Sequence, residues 1–125
     1  MLTNAKLMAF VPASDLAAAR AFYERVLGLR YLDEDGFAVT VEAAQGIRVR
    51  LVRIENHKPV QFTILGWETP DIEKSVSELE ERGVAFAGFG LPNQDARGIW
   101  TAPGGAKVAW FRDPDGNTLS LTQFA

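Results

Sequence analysis

The feature that most narrows what this chain can fold into is a plan stated twice. In the first half Lys6–Val11 is a short apolar run of strand formers, and Pro12-Ala13-Ser14-Asp15 supplies a turn and a capping residue. Apolar residues then fall at Leu16, Ala19, Tyr23, Val26 and Leu27, the spacing of an amphipathic helix, with Gly28 placed to end it. In the second half Val60–Trp67 reads as a strand, and Thr69-Pro70-Asp71 opens a helix with proline just inside the cap. Ile72, Val76 and Leu79 share one face of that helix and Gly83 stops it. Setting Asp15 on Asp71 puts Leu16 on Ile72 and Tyr23 on Leu79 without a gap, the mark of an internal duplication. Two amphipathic helices that each follow a strand also occur in unrelated α+β folds, so the repeat alone does not prove descent.

Strands follow each helix. The first half predicts them over Arg30–Leu32, Phe37–Glu42 and Ile47–Ile54. The second predicts Val84–Phe86, Val108–Phe111 and Thr118–Gln123, with Ile99–Ala102 as a short extra strand. Asp113-Pro114-Asp115-Gly116-Asn117 is a hairpin turn, because proline presets φ and Gly116 tolerates positive φ. The order is β-α-β-β-β twice, an α+β class, with residues 1–125 as one domain of two modules, about 1–56 and 57–125. A helix on one face of each curled sheet leaves the other face free to line a cavity.

Composition removes several functions. Hydrophobic residues at 47% and charged residues at 23% are ordinary globular usage, which argues against disorder. A net charge of -3 argues against a nucleic-acid partner, which needs a basic face. The absence of cysteine rules out disulfides, thiolate catalysis and Cys-ligated zinc. No apolar run approaches the roughly 20 residues of a membrane helix, so no membrane partner is expected. Met1–Phe10 lacks the apolar stretch and cleavage site of a signal peptide, and a cytoplasmic protein is the plain expectation.

Val11-Pro12-Ala13-Ser14-Asp15-Leu16, Phe22-Tyr23 and Leu27-Gly28-Leu29 together resemble the opening signature of the glyoxalase, bleomycin-resistance and dioxygenase group, the vicinal oxygen chelate superfamily. Ala109-Trp110-Phe111-Arg112-Asp113-Pro114-Asp115-Gly116-Asn117 resembles its closing signature. The resemblance implies paired βαβββ modules forming a cupped, partly barrel-like mixed sheet with helices on the outer face, often completed across a homodimer. It implies no one reaction, since the group includes lyases, isomerases, dioxygenases and drug binders that catalyse nothing.

In metal-dependent members a ligand, usually histidine, lies on the first strand of each module, seven residues before the helix-opening aspartate. Those positions hold Met8 and Ile64 here. A further ligand, usually glutamate, sits four residues after the glycine of the closing turn, and here it is Ser120. The fourth cannot be placed from sequence, although Ile47–Ile54 contains no carboxylate or histidine. The single histidine, His57, lies in the polar segment Glu55–Pro59, where a solvated side chain is the ordinary outcome. No metal site and no cofactor are therefore expected.

Strand alternation puts Met8 with Phe10 on one face, and Ser120 with Thr118 and Thr122 on another. Trp110 falls opposite Ser120 across the closing turn. With the geometry that the resemblance implies, Met8, Phe10, Ile64, Trp110 and Ser120 surround a mostly apolar cavity suited to a flat small molecule, or else simply fill a core. Arg48 and Arg50 share a strand face, and Arg50 can clamp a carboxylate or phosphate or lie on a solvated or dimer-edge strand. Arg97 and Trp100 belong to the long irregular stretch Gly88–Gly105, which can cover a site or be an ordinary loop, and in which Gln94 and Asp95 acquire no role. The ligand-binding candidates are thus Met8, Phe10, Arg50, Ile64, Trp100, Trp110 and Ser120. Trp67 is expected to pack on the second helix and Tyr23 to serve the core. Glu42 and Asp35 form no recognisable acid–base pair, so catalytic residues are not identified.

Three functions remain open on these residues: a metal-independent binder that sequesters an aromatic metabolite or antibiotic, a lyase, isomerase or dioxygenase-like enzyme with an atypical or absent metal site, and a regulatory dimer with a closed cavity.

Overall fold

In the computed structural model, which describes residues 1–125, the chain forms two compact units, Met1–Lys58 and Pro59–Ala125. The first contains β1 (Met8–Ala13), α1 (Leu16–Ala21), β2 (Arg30–Glu34), β3 (Ala38–Glu42) and β4 (Arg48–Arg53). The second contains β5 (Leu65–Glu68), α2 (Ile72–Glu81), β6 (Trp100–Thr101), β7 (Lys107–Arg112) and β8 (Thr118–Gln123). Each makes a four-stranded mixed sheet, ordered β1-β4-β3-β2 and β5-β8-β7-β6. The two orders are the same permutation: the last strand inserts between the first, to which it is parallel, and the third, to which it is antiparallel. The fold is α+β with two tandem βαβββ modules, as the repeat implied. Neither sheet closes on itself, so the barrel-like expectation reduces to two open mixed sheets. No helix is long and apolar enough to cross a membrane.

The two helices start alike and end differently. Asp15 and Asp71 are the caps, each accepting from the amide three residues on, Ala18 and Lys74, at 3.1 Å. Pro70 therefore lies just outside the cap of α2, and the helix starts two residues later than the sequence suggested. At the far end of α2 the Gly83 amide reaches the Glu80 carbonyl and the Val84 amide the Leu79 carbonyl, both at 3.0 Å, around Gly83 at φ 91°. That is a left-handed glycine end. Beyond α1 the chain widens into a π turn over Phe22–Val26, so the equivalent closing bond, Leu29 amide to Tyr23 carbonyl, spans one residue more.

Alternation sets the core. Val11, Ala13, Val39, Val41, Val49 and Leu51 are buried with Ala19 and Tyr23 of the first helix, and Ala109, Phe111, Leu119 and Leu121 with Ile72 and Val76 of α2. Burying each large side chain contributes about 1.5–3 kcal/mol before entropy is counted. Trp67, expected to pack on the second helix, stacks instead on Phe111 of β7 at 6.4 Å.

One strand was misplaced. Val84–Phe86 is not a strand, because only the Ala87 amide finds a partner on β7, the Trp110 carbonyl at 2.8 Å. Its place at the sheet edge is taken by β6, within the optional Ile99–Ala102. Likewise Val60–Trp67 becomes a strand only from Leu65, where β8 begins to offer a ladder. The first sheet also contains an irregularity between Tyr31 and Asp33 that puts Tyr31 and Glu34 opposite Val41 and Val39. In a regular strand residues three apart point to opposite faces, and the bulge brings these two to the same one. There Arg20 meets both, at 2.8 Å from Glu34 and 3.6 Å from the Tyr31 ring centroid, while its Nε donates to Glu24 at 3.1 Å.

Gly66 marks the tightest approach between β5 and β8. A Cβ there would lie 2.9 Å from the Ser120 Oγ and 3.3 Å from the Ser120 carbonyl oxygen. Gly66→Ala should destabilise the chain by about 1–3 kcal/mol, the usual cost of overpacking. In a Ser120→Ala background the cost should fall, and chemical denaturation of the four-member cycle reads that coupling directly.

Candidate functional site

Each sheet has one helix-covered face and one that the helix leaves uncovered. Six of the seven candidate residues lie in rows on the uncovered faces, Ser120 buried there at 5% exposure, and Ile64 precedes β5. In the first module β4 is a central strand, so the alternative of an edge position for Arg50 is ruled out. Arg50 pairs with Phe10 on β1 and with Thr40 on β3, and Arg48 pairs with Met8 and Glu42 in the next row. Met8 and Phe10 are exposed, at 43% and 64%, and fill no core. Arg50 is half-buried, its side chain 35% exposed. Its Nε is covered and has no hydrogen-bond partner. Leaving such a donor unpaired costs on the order of 1–3 kcal/mol.

The nearest carboxylate does little to offset that. Arg50 Nη2 lies 3.8 Å from Asp35 Oδ2, a loose ion pair. Asp35 is engaged elsewhere, since its Oδ1 accepts from the Phe37 and Ala38 amides at 2.7 and 3.0 Å and organises the β2–β3 turn. Those amides, Phe37 first, hold the Asp35 carboxyl below its ordinary value, with Arg50 contributing less. Along the same face Arg30 lies 3.7 Å from Glu42. A depression of about 240 Å³ is lined by Lys6, Leu7, Met8, Gly46 and Arg48, so this edge of the module is cationic as well as apolar.

In the second module one row across the sheet reads Trp110, Ser120, Gly66, and the next reads Trp100, Val108, Thr122, Glu68. Trp110 is thus opposite Ser120, as the closing turn suggested. Ile64, just before β5, donates its amide to the Thr118 carbonyl at 3.0 Å and is half-buried. Trp110 sits between two aromatic neighbours, Trp100 at 6.0 Å and Phe89 at 5.4 Å with rings nearly perpendicular. Trp100 and Trp110 are half-buried and Phe89 is 44% exposed. Such offset and edge-on contacts hold the three rings in fixed orientations.

The loop that presents Phe89 is built by residues with no apparent role in the sequence. Gln94 accepts from the Phe89 amide at 2.8 Å and donates to the Ala87 and Gly98 carbonyls at 3.1 and 3.0 Å. Asp95 turns the chain by accepting from the Arg97 and Ile99 amides, both at 2.9 Å. Arg97 is drawn to α2, donating to Ser77 at 2.8 Å and Glu80 at 3.0 Å, and so has a structural role. Phe89, Thr40 and Gly66 were missed as site residues. Phe89 left only a weak signal, an aromatic residue between Gly88 and Gly90.

The register fixes the one ligand position that sequence could not place. Met8 lies two residues before Phe10, which pairs with Arg50, just as Ile64 lies two before Gly66, which pairs with Ser120. Arg50 is therefore the counterpart of Ser120. The four positions hold a thioether, a guanidinium, an alkyl chain and a hydroxyl, a donor set that does not fit a divalent cation. Nowhere do three His, Cys, Asp or Glu side chains gather so as to hold one.

The chain matches the family model described as the Glyoxalase/Bleomycin resistance protein/Dioxygenase superfamily over residues 7–121. It belongs to that superfamily. No curated protein matches it. Among solved structures it is 26% identical to a superfamily member from Sphaerobacter thermophilus, with a TM-score of 0.74 over 98% of this chain and 99% of that one. It is also 26% identical to TnmS3, an antibiotic binding protein from Streptomyces sp. CB03234, with a TM-score of 0.76 over 100% and 99% of the two chains. The lactoylglutathione lyase of Agrobacterium tumefaciens shares the fold at 19% identity, with a TM-score of 0.73 over 98% and 96%.

Purified, untagged protein offered nickel, zinc, iron or manganese and then dialysed should retain none of them near stoichiometry by elemental analysis. Retention of one would mean that donors outside these four positions hold it.

Proposed function

We propose that this protein binds a flat, aromatic small molecule without a metal ion and returns it unchanged. The observation that carries the reading is the cluster of Phe89, Trp110 and Trp100, three rings in mutual contact and half-buried to exposed on the side of the second sheet away from α2. Thr122, half-buried in the β8 ladder, offers a hydroxyl to a ligand's polar edge, with Ile64 adding apolar surface and Ser120 buried beside Trp110. Likeness to a named antibiotic binding protein at 26% identity supports the same direction. On the first module Met8, Phe10 and Arg50 form the second ligand-facing group. No acid–base pair is associated with Ser120, whose ladder partners are Trp110 and Gly66. The superfamily's habit of pairing leads us to expect a cytoplasmic homodimer, which sedimentation of the purified protein checks.

Tryptophan fluorescence tests this reading, in a Trp67→Phe background so that the core indole does not report. A flavone, an acridine and an anthracycline serve as probes. At least one should quench saturably at one site per chain, and Trp110→Ala should weaken it about tenfold, or about 1.4 kcal/mol. Mass spectrometry should recover the probe intact. Conversion of a probe would replace the binder with an enzyme, and no saturable quenching by any of them would remove the aromatic face as a site.

A further inference from the structure

We infer that the open face of the first sheet recognises an apolar organic carboxylate, with Arg50 as the anchor and Phe10 as the surface under its hydrocarbon body. This does not rest on the reading of the second module's aromatic cluster.

The first argument is the unmet demand of the guanidinium. Arg50 Nε is covered yet unpartnered, and the only carboxylate in range stays at 3.8 Å while its other oxygen is tied to two amides. Nε itself is closed to a ligand, but a planar carboxylate matches the terminal Nη pair and can make two charge-assisted hydrogen bonds there.

The second argument is position. Arg48, one row away, is exposed and can extend into water, but Arg50 is held in the middle of a central strand between Phe10 and Thr40. About a third of its side chain stays exposed, so the charge is oriented and still accessible.

The third argument is the company it keeps. Phe10 and Met8 expose apolar surface beside the charge, which inorganic anions do not need and an amphiphilic acid does. The charged groups on or beside this face are Lys6, Arg30, Arg48 and Arg50 against Glu42, Asp35 and Asp33, the last opposite Thr40 on β2, leaving a small excess of positive charge that favours an anion.

Calorimetric titration of the full chain with 1-naphthoate and with its neutral isostere 1-naphthamide tests the inference. Naphthoate should bind about tenfold more tightly than the amide, the range of a charge-assisted pair. Arg50→Gln should abolish that ratio. Arg50→Lys, which keeps the charge and loses the fork, should retain part of it and serves if the glutamine variant fails to fold. Phe10→Ala should weaken both ligands and leave the ratio intact, and Arg48→Gln and Trp110→Ala should leave the ratio unchanged. Because the ratio reports Arg50 alone, it separates this site from the tryptophan cluster, and either can fail without the other. Equal affinity for acid and amide, or naphthoate binding that survives both Arg50 substitutions, would overturn the proposal. So would inorganic phosphate displacing naphthoate at equal concentration. Sedimentation of a dimer that dissociates in both Arg50 variants, with no preference for the acid, would assign the face to a second copy of the chain and also overturn it.

Discussion

Each module depends on one long-range parallel ladder, between its first strand and its last. Met8–Ala13 runs beside Arg48–Arg53, and Leu65–Glu68 beside Leu119–Thr122. Parallel neighbours cannot be joined by a tight turn, so this pair forms only by closing a long stretch of intervening chain. The helix is part of that intervening chain and covers one face, burying Leu51 and Leu119 beneath it. The last strand thereby becomes central rather than peripheral. Its alternate residues, Arg50 and Ser120, are then fixed in the middle of the open faces with strands on both sides. Shifting either ladder by one residue would send these side chains into the core and Leu51 or Leu121 into solvent.

Much of this was legible in the chain. The helix starts near Asp15 and Asp71, though not the cap at Asp71 itself, the glycines after each helix and the Asp113–Asn117 turn are local signals whose physical causes do not depend on the rest of the molecule. Asp113 illustrates this: its Oδ1 accepts from the Asp115 and Asn117 amides at 2.9 and 3.0 Å, and its Oδ2 from the Asn117 side chain at 2.9 Å. Strand β8 was placed to the residue for the same reason, since a strong turn set its start. Failures came where a strand exists only because a partner is present. Val84–Phe86 has strand-forming residues and no ladder, while Trp100–Thr101 is a strand because Val108 and Lys107 lie opposite. The bulge in β2 and the π turn after α1 leave no periodic trace, since each is an interruption of a period. The Arg20 network that they assemble was invisible for that reason.

The site was legible to a different depth. Alternation and the closing turn were enough to put Met8 with Phe10 and Trp110 opposite Ser120, while Arg50 and Trp100 were left with two readings each. They could not give the β1–β4 register, and without it Arg50 had no counterpart in the second half. Phe89 escaped because it lies in a loop held by Gln94, whose three bonds follow no repeat. The edge-strand alternative for Arg50 failed because strand order is a tertiary property, set by the parallel ladder and not by the composition of β4.

The same backbone thus carries two different surfaces. In the row that matters most, Phe10, Arg50 and Thr40 of one module stand where Gly66, Ser120 and Trp110 stand in the other. The second row has lost charge and gained an indole. The first has gained a permanent cation, since a guanidinium is not deprotonated in proteins. That single residue decides more about metal chemistry than the missing histidines do. Two unit charges 4 Å apart repel by about 4 kcal/mol at an effective dielectric of 20, and a divalent ion would meet roughly twice that. A module with Arg50 at its centre therefore opposes a cation even if carboxylates are supplied from elsewhere. It favours an anion by the same electrostatics, in a fold whose loops and core can stay as they are.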